Sequence, residues 1–311
     1  MNIKGKKILV TGGAGFIGSH TVDELIEQGA DVVIIDNLSS GRKQNINKKA
    51  RFYKMNIADK RIEDIVIKEN PDIIYHFAFF VFVQKSLKNP LLDMDSIEGS
   101  IRILEAARKI KIEKFVFASS GFVYGNTSKL PVNEEENNDF VTPYCVSKQC
   151  IENYIMFYNK NYGLPYVILR YATTYGPRQV TGAMADYIRK IFNNKKASIW
   201  GDGNKTRDYV YIKDAVKANL LVLNIGANVK IPIFNTGTSR EVKLNTIYDK
   251  ISSMLKSKIR PKYLPDKKGD LLRYCLSARK LNKFTGWIPE YSLDDGLKET
   301  VEYWKVNRRY L

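Results

Sequence analysis

Thr11-Gly12-Gly13-Ala14-Gly15-Phe16-Ile17-Gly18 is the stretch whose reading decides the fold. An apolar run, Lys7-Ile8-Leu9-Val10-Thr11, leads into it and predicts a buried strand. Residues 16–28 then carry apolar positions at helical spacing, and Gly29 ends them. Gly13, Gly15 and Gly18 satisfy GxGxxG; Gly12, Gly15 and Gly18 satisfy GxxGxxG. Glycines in a strand–loop–helix context permit a tight turn and let a pyrophosphate reach the backbone. The helix N-terminus adds amide donors and partial positive charge. Asp31–Asp36 is the next strand, and its last residue lies 18 positions after Gly18. A carboxylate there accepts from ribose hydroxyls and repels a 2′-phosphate, so Asp36 predicts NAD rather than NADP.

Further strand-like runs are Ile73–His76, Lys114–Ser119 and Tyr166–Tyr171, with helical stretches near 61–69, 89–109 and 142–162. Such alternation predicts an α/β fold of the Rossmann type: a doubly wound parallel sheet covered by helices on both faces. After about residue 175 the pattern loosens. Strands at Asp208–Ile212 and Ile231–Asn235 mix with helices at 213–224, 244–255 and 293–304. We therefore expect an NAD-binding domain over 1–175. A smaller mixed α/β lobe over 176–311 would bind substrate, with some elements returning to the main domain.

Composition narrows the classes. With 50 Lys+Arg against 33 Asp+Glu the net charge is +17, which raises nucleic-acid binding. The basic residues are scattered as singles and pairs such as Lys48-Lys49, with no long block, so no nucleic-acid partner is expected. The Met-Asn-Ile-Lys opening shows no signal-peptide pattern, and no apolar run reaches membrane-span length. Three cysteines without a CxxC pair suit a reducing cytoplasm. Two histidines, His20 and His76, leave no His-rich metal site, and no metal is expected.

Tyr144-Cys145-Val146-Ser147-Lys148 puts Tyr144 and Lys148 four apart on a predicted helix, hence on one side. An ammonium near a phenol favours phenolate, so Lys148 is expected to lower the Tyr144 pKa and fit it for general-base work on a sugar hydroxyl. Ser120, at the carboxyl end of a parallel strand where ligands of such sheets bind, can bond the same substrate oxygen.

These elements, in this order, resemble the extended short-chain dehydrogenase/reductases of the NAD-dependent epimerase/dehydratase family, most closely nucleotide-sugar epimerases of the UDP-glucose 4-epimerase type. The resemblance spans nearly the whole chain. It includes His76-Phe77-Ala78, Val123-Tyr124-Gly125, Leu169-Arg170-Tyr171, Tyr175-Gly176-Pro177-Arg178, Gly201-Asp202-Gly203, Thr206-Arg207-Asp208 and Gly286-Trp287. It implies NAD as cofactor, a UDP-sugar substrate, a transient 4-keto sugar, and a homodimer through the helices near 89–109 and 142–162. It implies that Ser120, Tyr144 and Lys148 are catalytic. It places the cofactor against Gly12, Gly15, Phe16, Ile17, Gly18, Asp36, Asn37, Ser40, Gly41, Asn56 and Ile57. Further cofactor contacts would come from Phe77, Ala78, Phe79, Val81, Ser96, Tyr144, Lys148, Tyr171 and Ala172. The substrate would meet Phe82, Ser120, Phe122, Tyr144, Thr173, Arg178, Arg207, Lys267, Asp270 and Tyr274.

Several positions depart from the family pattern. Gly121 and Phe122 stand where dehydratases carry acids, so dehydration is not expected. Asn56 replaces an adenine-binding Asp, Ser96 an Asn, Lys267 an Arg, Thr173 an Asn and Ala172 a Phe. Phe79-Phe80-Val81-Phe82 follows Ala78, where the family has small or polar residues. Two readings of that run stand side by side: compensating repacking, or a pocket remodelled for another nucleotide sugar. Tyr274 falls where the family gates the sugar C2 substituent, which predicts plain hexoses over N-acetylated ones. The leading expectation is an NAD-dependent 4-epimerase. The alternatives are a net oxidoreductase acting on a nucleotide sugar, and an NAD-bound RNA-binding protein on the same fold.

Overall fold

The structure, a computed structural model, describes residues 1–127, 129–226 and 229–310. Six strands, β1 (Lys7–Thr11), β2 (Asp31–Asp36), β3 (Arg51–Lys54), β4 (Ile73–His76), β5 (Lys114–Ser120) and β6 (Tyr166–Tyr171), join Ile233–Thr236 in a seven-stranded sheet. Its order is β3-β2-β1-β4-β5-β6 followed by Ile233–Thr236. Pairing is parallel from β3 through β5, with Thr11 opposite both Ile35 and His76. β1, β2 and β4 read as almost continuous apolar runs because both faces of the sheet are covered: Ile8, Leu9, Val10, Val33, Ile34, Ile73 and Ile74 are fully buried.

Five helices matter for the site: α1 (Phe16–Glu27), α2 (Ile62–Glu69), α3 (Val83–Lys88), α4 (Met94–Lys109) and α5 (Pro143–Tyr162). The core under them gathers Leu9, Ile103, Leu104, Phe115, Phe117, Ile151, Ile155 and Ile168. The sequence places α5 sharply. Thr142 caps it by accepting from the Cys145 N–H, Pro143 opens it, and Gly163 at φ 71° closes it. The predicted 89–109 helix is broken, with a 3-10 turn at Pro90–Asp93 preceding α4. Three helices were not expected, α3, Ala183–Phe192 and Arg279–Thr285; in α3 the preceding aromatic run hides any period.

The chain divides into two compact units. The first comprises 1–123, 140–170 and 216–234, and the second comprises 124–139, 171–215 and 235–311. In the second unit Thr173–Tyr175 pairs in parallel with Tyr209–Tyr211, and helices Leu244–Met254 and Leu293–Val306 complete the expected elements. The Asp208 carboxylate ties this unit together, accepting from the backbone N–H groups of Thr238, Ser239 and Leu276. Among the described residues no helix is long and apolar enough to cross a membrane.

Candidate active site

The glycine loop is built by close backbone approach. At Gly12, φ is +71°, and a Cβ there would come within 2.7 Å of the Ala78 nitrogen. A Cβ on Gly18 would come within 2.2 Å of the Gly12 oxygen. The loop therefore folds onto the start of α1 and against Phe77-Ala78 only with glycine at both places. The Ala78 N–H also donates to Thr11 Oγ1, at 3.2 Å. Asp36 is buried, and its carboxylate accepts from the Ala14 N–H at 3.0 Å and the Leu38 N–H at 2.7 Å. Burial raises its pKa, and those two backbone donors pull the other way. A Cβ on Gly41 would lie 2.7 Å from Asp36 Oδ1, so residue 41 approaches the carboxylate this closely only because it has no side chain. A glycine-lined cradle at a helix N-terminus, with an acid at the end of β2, fits the pyrophosphate and ribose of NAD.

Other expected cofactor positions are already engaged within the chain. The Asn56 carbonyl accepts from the Ala58 N–H, and its amide donates to Asp95. Ser96 Oγ accepts from the Phe80 N–H at 2.9 Å. Asn37 accepts from the Ser39 N–H. Ile57 is buried, and a Cβ on Gly99 would meet it. Phe16, Ile17 and Ser40 are half-buried and Val81 is exposed.

The three residues expected to be catalytic do come together. Ser120 ends β5, and its hydroxyl lies close enough to the Tyr144 phenol to pull the phenol pKa down. It also accepts from the Phe122 N–H. Lys148, one turn along α5, is 3 % exposed. Its ammonium donates to the Ala118 carbonyl at 2.6 Å and lies 3.7 Å from the Phe79 ring centre. It is 4.7 Å from the Phe117 ring centre and 5.9 Å from that of Tyr144. Burial lowers the Lys148 pKa to about 7 against the pull of Glu152 and Asp93. The expected depression of the Tyr144 pKa is not what the structure shows. Burial holds the phenol above its ordinary value, and only the Ser120 bond lowers it. The physical reason is that Lys148 is directed to Ala118 rather than to the phenol oxygen. Sequence reasoning also missed Asp93, a buried carboxylate that acts on both Tyr144 and Lys148. It sits in Pro90-Leu91-Leu92-Asp93, where no pattern marks it.

The aromatic run divides in two. Phe79 meets Tyr144 edge-to-face, centroids 5.6 Å apart. Phe80 instead meets Phe82 at 5.5 Å, and Lys85 lies over Phe82. Phe122 is half-buried and its carbonyl accepts from Cys145 Sγ.

In the second unit, Arg207 and Asp270 form an ion pair, which Lys205 joins at 3.1 Å. Lys205 also reaches Asp266 at 2.8 Å, and Lys267 stacks over Trp200 at 4.2 Å. Three of the four charged residues expected to meet the substrate, Arg207, Lys267 and Asp270, thus lie close together with three neighbours, Lys205, Asp266 and Trp200, that spacing did not reveal. The fourth, Arg178, has a φ of 68°. Tyr171 and Ala172 are buried and Thr173 is half-buried. Tyr274 is 2 % exposed and its hydroxyl donates to the Tyr171 carbonyl at 2.9 Å. It is thus a fixed, packed side chain rather than a swinging one. Among the described residues no cluster of His, Cys, Asp or Glu is arranged to hold a metal ion.

A fold of this order, with a Ser-Tyr-Lys set at the carboxyl ends of its strands, defines a nucleotide-dependent short-chain dehydrogenase/reductase. Comparison with known proteins narrows it. Residues 8–237 match the family described as "NAD dependent epimerase/dehydratase family", and the chain belongs to that family. It is 33% identical over 310 residues to a UDP-glucose 4-epimerase of Mycolicibacterium smegmatis, covering 96% of this chain and 98% of the relative. A UDP-glucose 4-epimerase of Thermotoga maritima, solved with UDP-glucose, superposes with a TM-score of 0.93 at 39% identity, covering 97% of this chain and 99% of that one. A UDP-N-acetylglucosamine 4-epimerase of Methanobrevibacter ruminantium, solved with UDP-N-acetylmuramic acid, gives 0.91 at 33% identity, covering 98% and 99%.

Proposed function

We propose that this chain is an NAD-dependent nucleotide-sugar 4-epimerase that interconverts UDP-glucose and UDP-galactose through a 4-keto sugar. The observation that carries the reading is the placement of the Ser120 hydroxyl beside the Tyr144 phenol, with Lys148 one turn further along α5, in a chain with the glycine cradle and Asp36. The loop Gly12–Gly18, Asp36 and the backbone of Phe77-Ala78 would hold NAD, which would supply reversible hydride-acceptor chemistry at sugar C4. Tyr144 takes the proton from the 4-hydroxyl as the carbonyl forms and gives it back as the carbonyl is reduced, so no net proton or electron leaves the site. The raised Tyr144 pKa favours the protonated phenol needed for that return step, while the first step needs the phenolate, so the positive charge of Lys148 must favour deprotonation when substrate binds. Ser120 orients the oxygen, and Lys148 supplies positive charge beside the pair.

Arg207, Lys267 and Asp270 are our candidates for the diphosphate and uridine end. The ion pair pre-orients the Arg207 fork, while burial lowers the Lys267 pKa. The absence of a carboxylate at Gly121 and Phe122 supports epimerisation over water elimination. Incubation with a panel of UDP-, dTDP- and GDP-sugars, followed by NMR of the products, tests the reading. A 4-epimer mixture supports it; stoichiometric NADH release or a deoxy-keto product overturns it.

We further propose a homodimer through the α4 and α5 region. Val146 and Phe157 on α5 are about half exposed, at 51% and 49%, and Leu91 and Met94 at the start of α4 stand out at 75% and 51%. Exposed apolar side chains on neighbouring elements support an interface there. Light scattering of the purified protein decides between one copy and two. Three free cysteines, two of them buried, support a cytoplasmic setting.

A further inference from the structure

We propose that Phe79 is a positioning residue: one aromatic ring clamps the Lys148 ammonium against its face and meets the Tyr144 ring edge-to-face, fixing both partners of the pair. This rests on the reading of Tyr144 and Lys148 as the catalytic pair.

The ring is well placed for that role. The backbone is pinned on either side of it, Ala78 N–H to Thr11 Oγ1 and Phe80 N–H to Ser96 Oγ. Phe79 itself packs against the main core cluster. The ammonium sits 3.7 Å from its centre, closer than to any other ring, while Ala118 supplies a carbonyl at 2.6 Å. A desolvated ammonium gains most from such a ring, because the π quadrupole replaces part of the lost hydration. Tyr144 meets the same ring at 5.6 Å and 90°, a favoured aromatic geometry. Phe80 and Phe82 pair with each other, so the role belongs to Phe79 alone of the run. Other charged or ionisable groups also face Lys148. Glu152 from α5 and Asp93 from Pro90–Asp93 favour its charge, whereas His76 from β4 feels that charge unfavourably, and Tyr144 lies on its own helix.

Two measurements on the NAD-loaded enzyme test the clamp. The first is an NMR titration of ¹³C-labelled lysine, with Lys148→Met to assign the signal. Phe79→Leu should move the Lys148 midpoint down by about 0.5–1 pH unit, and Phe79→Tyr should restore it. Phe79→pentafluorophenylalanine keeps the shape and reverses the ring quadrupole. It should lower the midpoint even if the leucine variant folds poorly. The second is the pH profile of kcat with UDP-galactose. The alkaline limb should move down with the same variants, kcat should fall about tenfold, and KM should change little. An unmoved Lys148 midpoint in the fluorinated variant overturns the clamp. So does loss of activity in Phe79→Leu that Phe79→Tyr fails to restore. If the wild type turns over no nucleotide sugar, the proposed function fails, while the lysine titration, which needs no substrate, still decides the clamp.

Discussion

Glu152 on α5 and Arg170 on β6 form a two-point ion pair inside the first unit, with Nη2–Oε2 at 2.6 Å and Nε–Oε1 at 3.0 Å. The Glu152 side chain is fully buried and that of Arg170 is 5% exposed. Ser119 Oγ donates to the same Glu152 carboxylate. The pair therefore ties α5 to β6 and to the end of β5, one turn beyond Lys148 and beside Ser120. It joins the elements that carry Ser120, Tyr144 and Lys148, the residues we propose as catalytic.

Breaking that pair should be costly. Glu152→Ala leaves a buried guanidinium without its counter-charge, and Arg170→Ala leaves a buried carboxylate. Each should lose about 3–5 kcal/mol in urea unfolding. The double variant should lose less than the sum, because neither charge remains orphaned. Single variants within about 1 kcal/mol of wild type would mean the pair is not holding the helix.

Tyr144→Phe should lower kcat by about 10²–10⁴-fold with the fold retained, since the ring packing against Phe79 survives and only the hydroxyl is removed. Ser120→Ala should cost less, because it removes an orienting bond and not the proton carrier. Near-wild-type turnover by a well-folded Tyr144→Phe would assign the proton to another group.

Asp36 is our candidate for the residue that sets cofactor choice. Cofactor released from denatured protein should be NAD or NADH. Asp36→Asn should weaken NAD binding by about 10–100-fold in a fluorescence titration, because charged hydrogen-bond partners contribute more than neutral ones. It also replaces one acceptor oxygen with a donor facing the Ala14 or Leu38 N–H. Recovery of mainly NADP from the wild type would contradict this account of the carboxylate.

The chain has two histidines, which makes one pH prediction easy to read. His76 is fully buried between Thr11 Oγ1 at 2.7 Å and Ser100 Oγ at 2.8 Å. Burial, and then the Lys148 charge, lower its pKa from 6.5 to about 3. A group with a depressed folded pKa contributes stability that is present above its unfolded pKa. That stability is lost as the pH falls from about 6.5 towards 3. Asp208 works in the opposite direction within that range: burial raises its pKa from 3.8 to about 6, so its contribution is full below about 3.8 and is lost as the pH rises through about 6. In an NMR titration the His76 imidazole should stay neutral at pH 5. A midpoint near 6.5 would mean the site opens to water.

The sheet was legible because each buried parallel strand is an apolar run, and the phosphate loop because its glycines sit between strand and helix. Tyr144, Lys148 and Ser120 could be picked by spacing and strand-end position. What spacing could not carry was the direction of a side chain. Lys148 reaches Ala118, 30 residues earlier, so a helix-face argument that aims its charge at Tyr144 misjudges the phenol. Likewise the run Phe79–Phe82 reads as one patch in sequence, whereas in the fold Phe79 meets Tyr144 and Lys148 and Phe80 meets Phe82. Asp93 and Lys205 were invisible for the same reason: each owes its place to tertiary packing, with no local pattern around it.

Tyr274 bears on the choice of sugar, and its packing sharpens the test. The side chain is 2 % exposed and its hydroxyl is bonded to the Tyr171 carbonyl. As a fixed wall it would exclude a bulky C2 substituent by occupying space, without needing to move. As pure packing it would affect only the stability of the second unit. These roles separate in Tyr274→Ser. Removing a buried ring should cost stability in either case, of the order of 3–5 kcal/mol as for other large-to-small changes, and leaves the Tyr171 carbonyl without that donor. Only the wall also changes selectivity, because the vacated volume admits the acetamido group. The ratio of turnover on UDP-N-acetylgalactosamine to that on UDP-galactose should then rise about tenfold or more, the scale of a steric discrimination of 1–3 kcal/mol. Tyr274→Phe keeps the volume and loses the bond, so it should leave that ratio near the wild-type value while lowering stability modestly. If the serine variant is destabilised and the ratio stays constant, Tyr274 is packing, and selectivity must be sought in Phe82 and Phe122 instead.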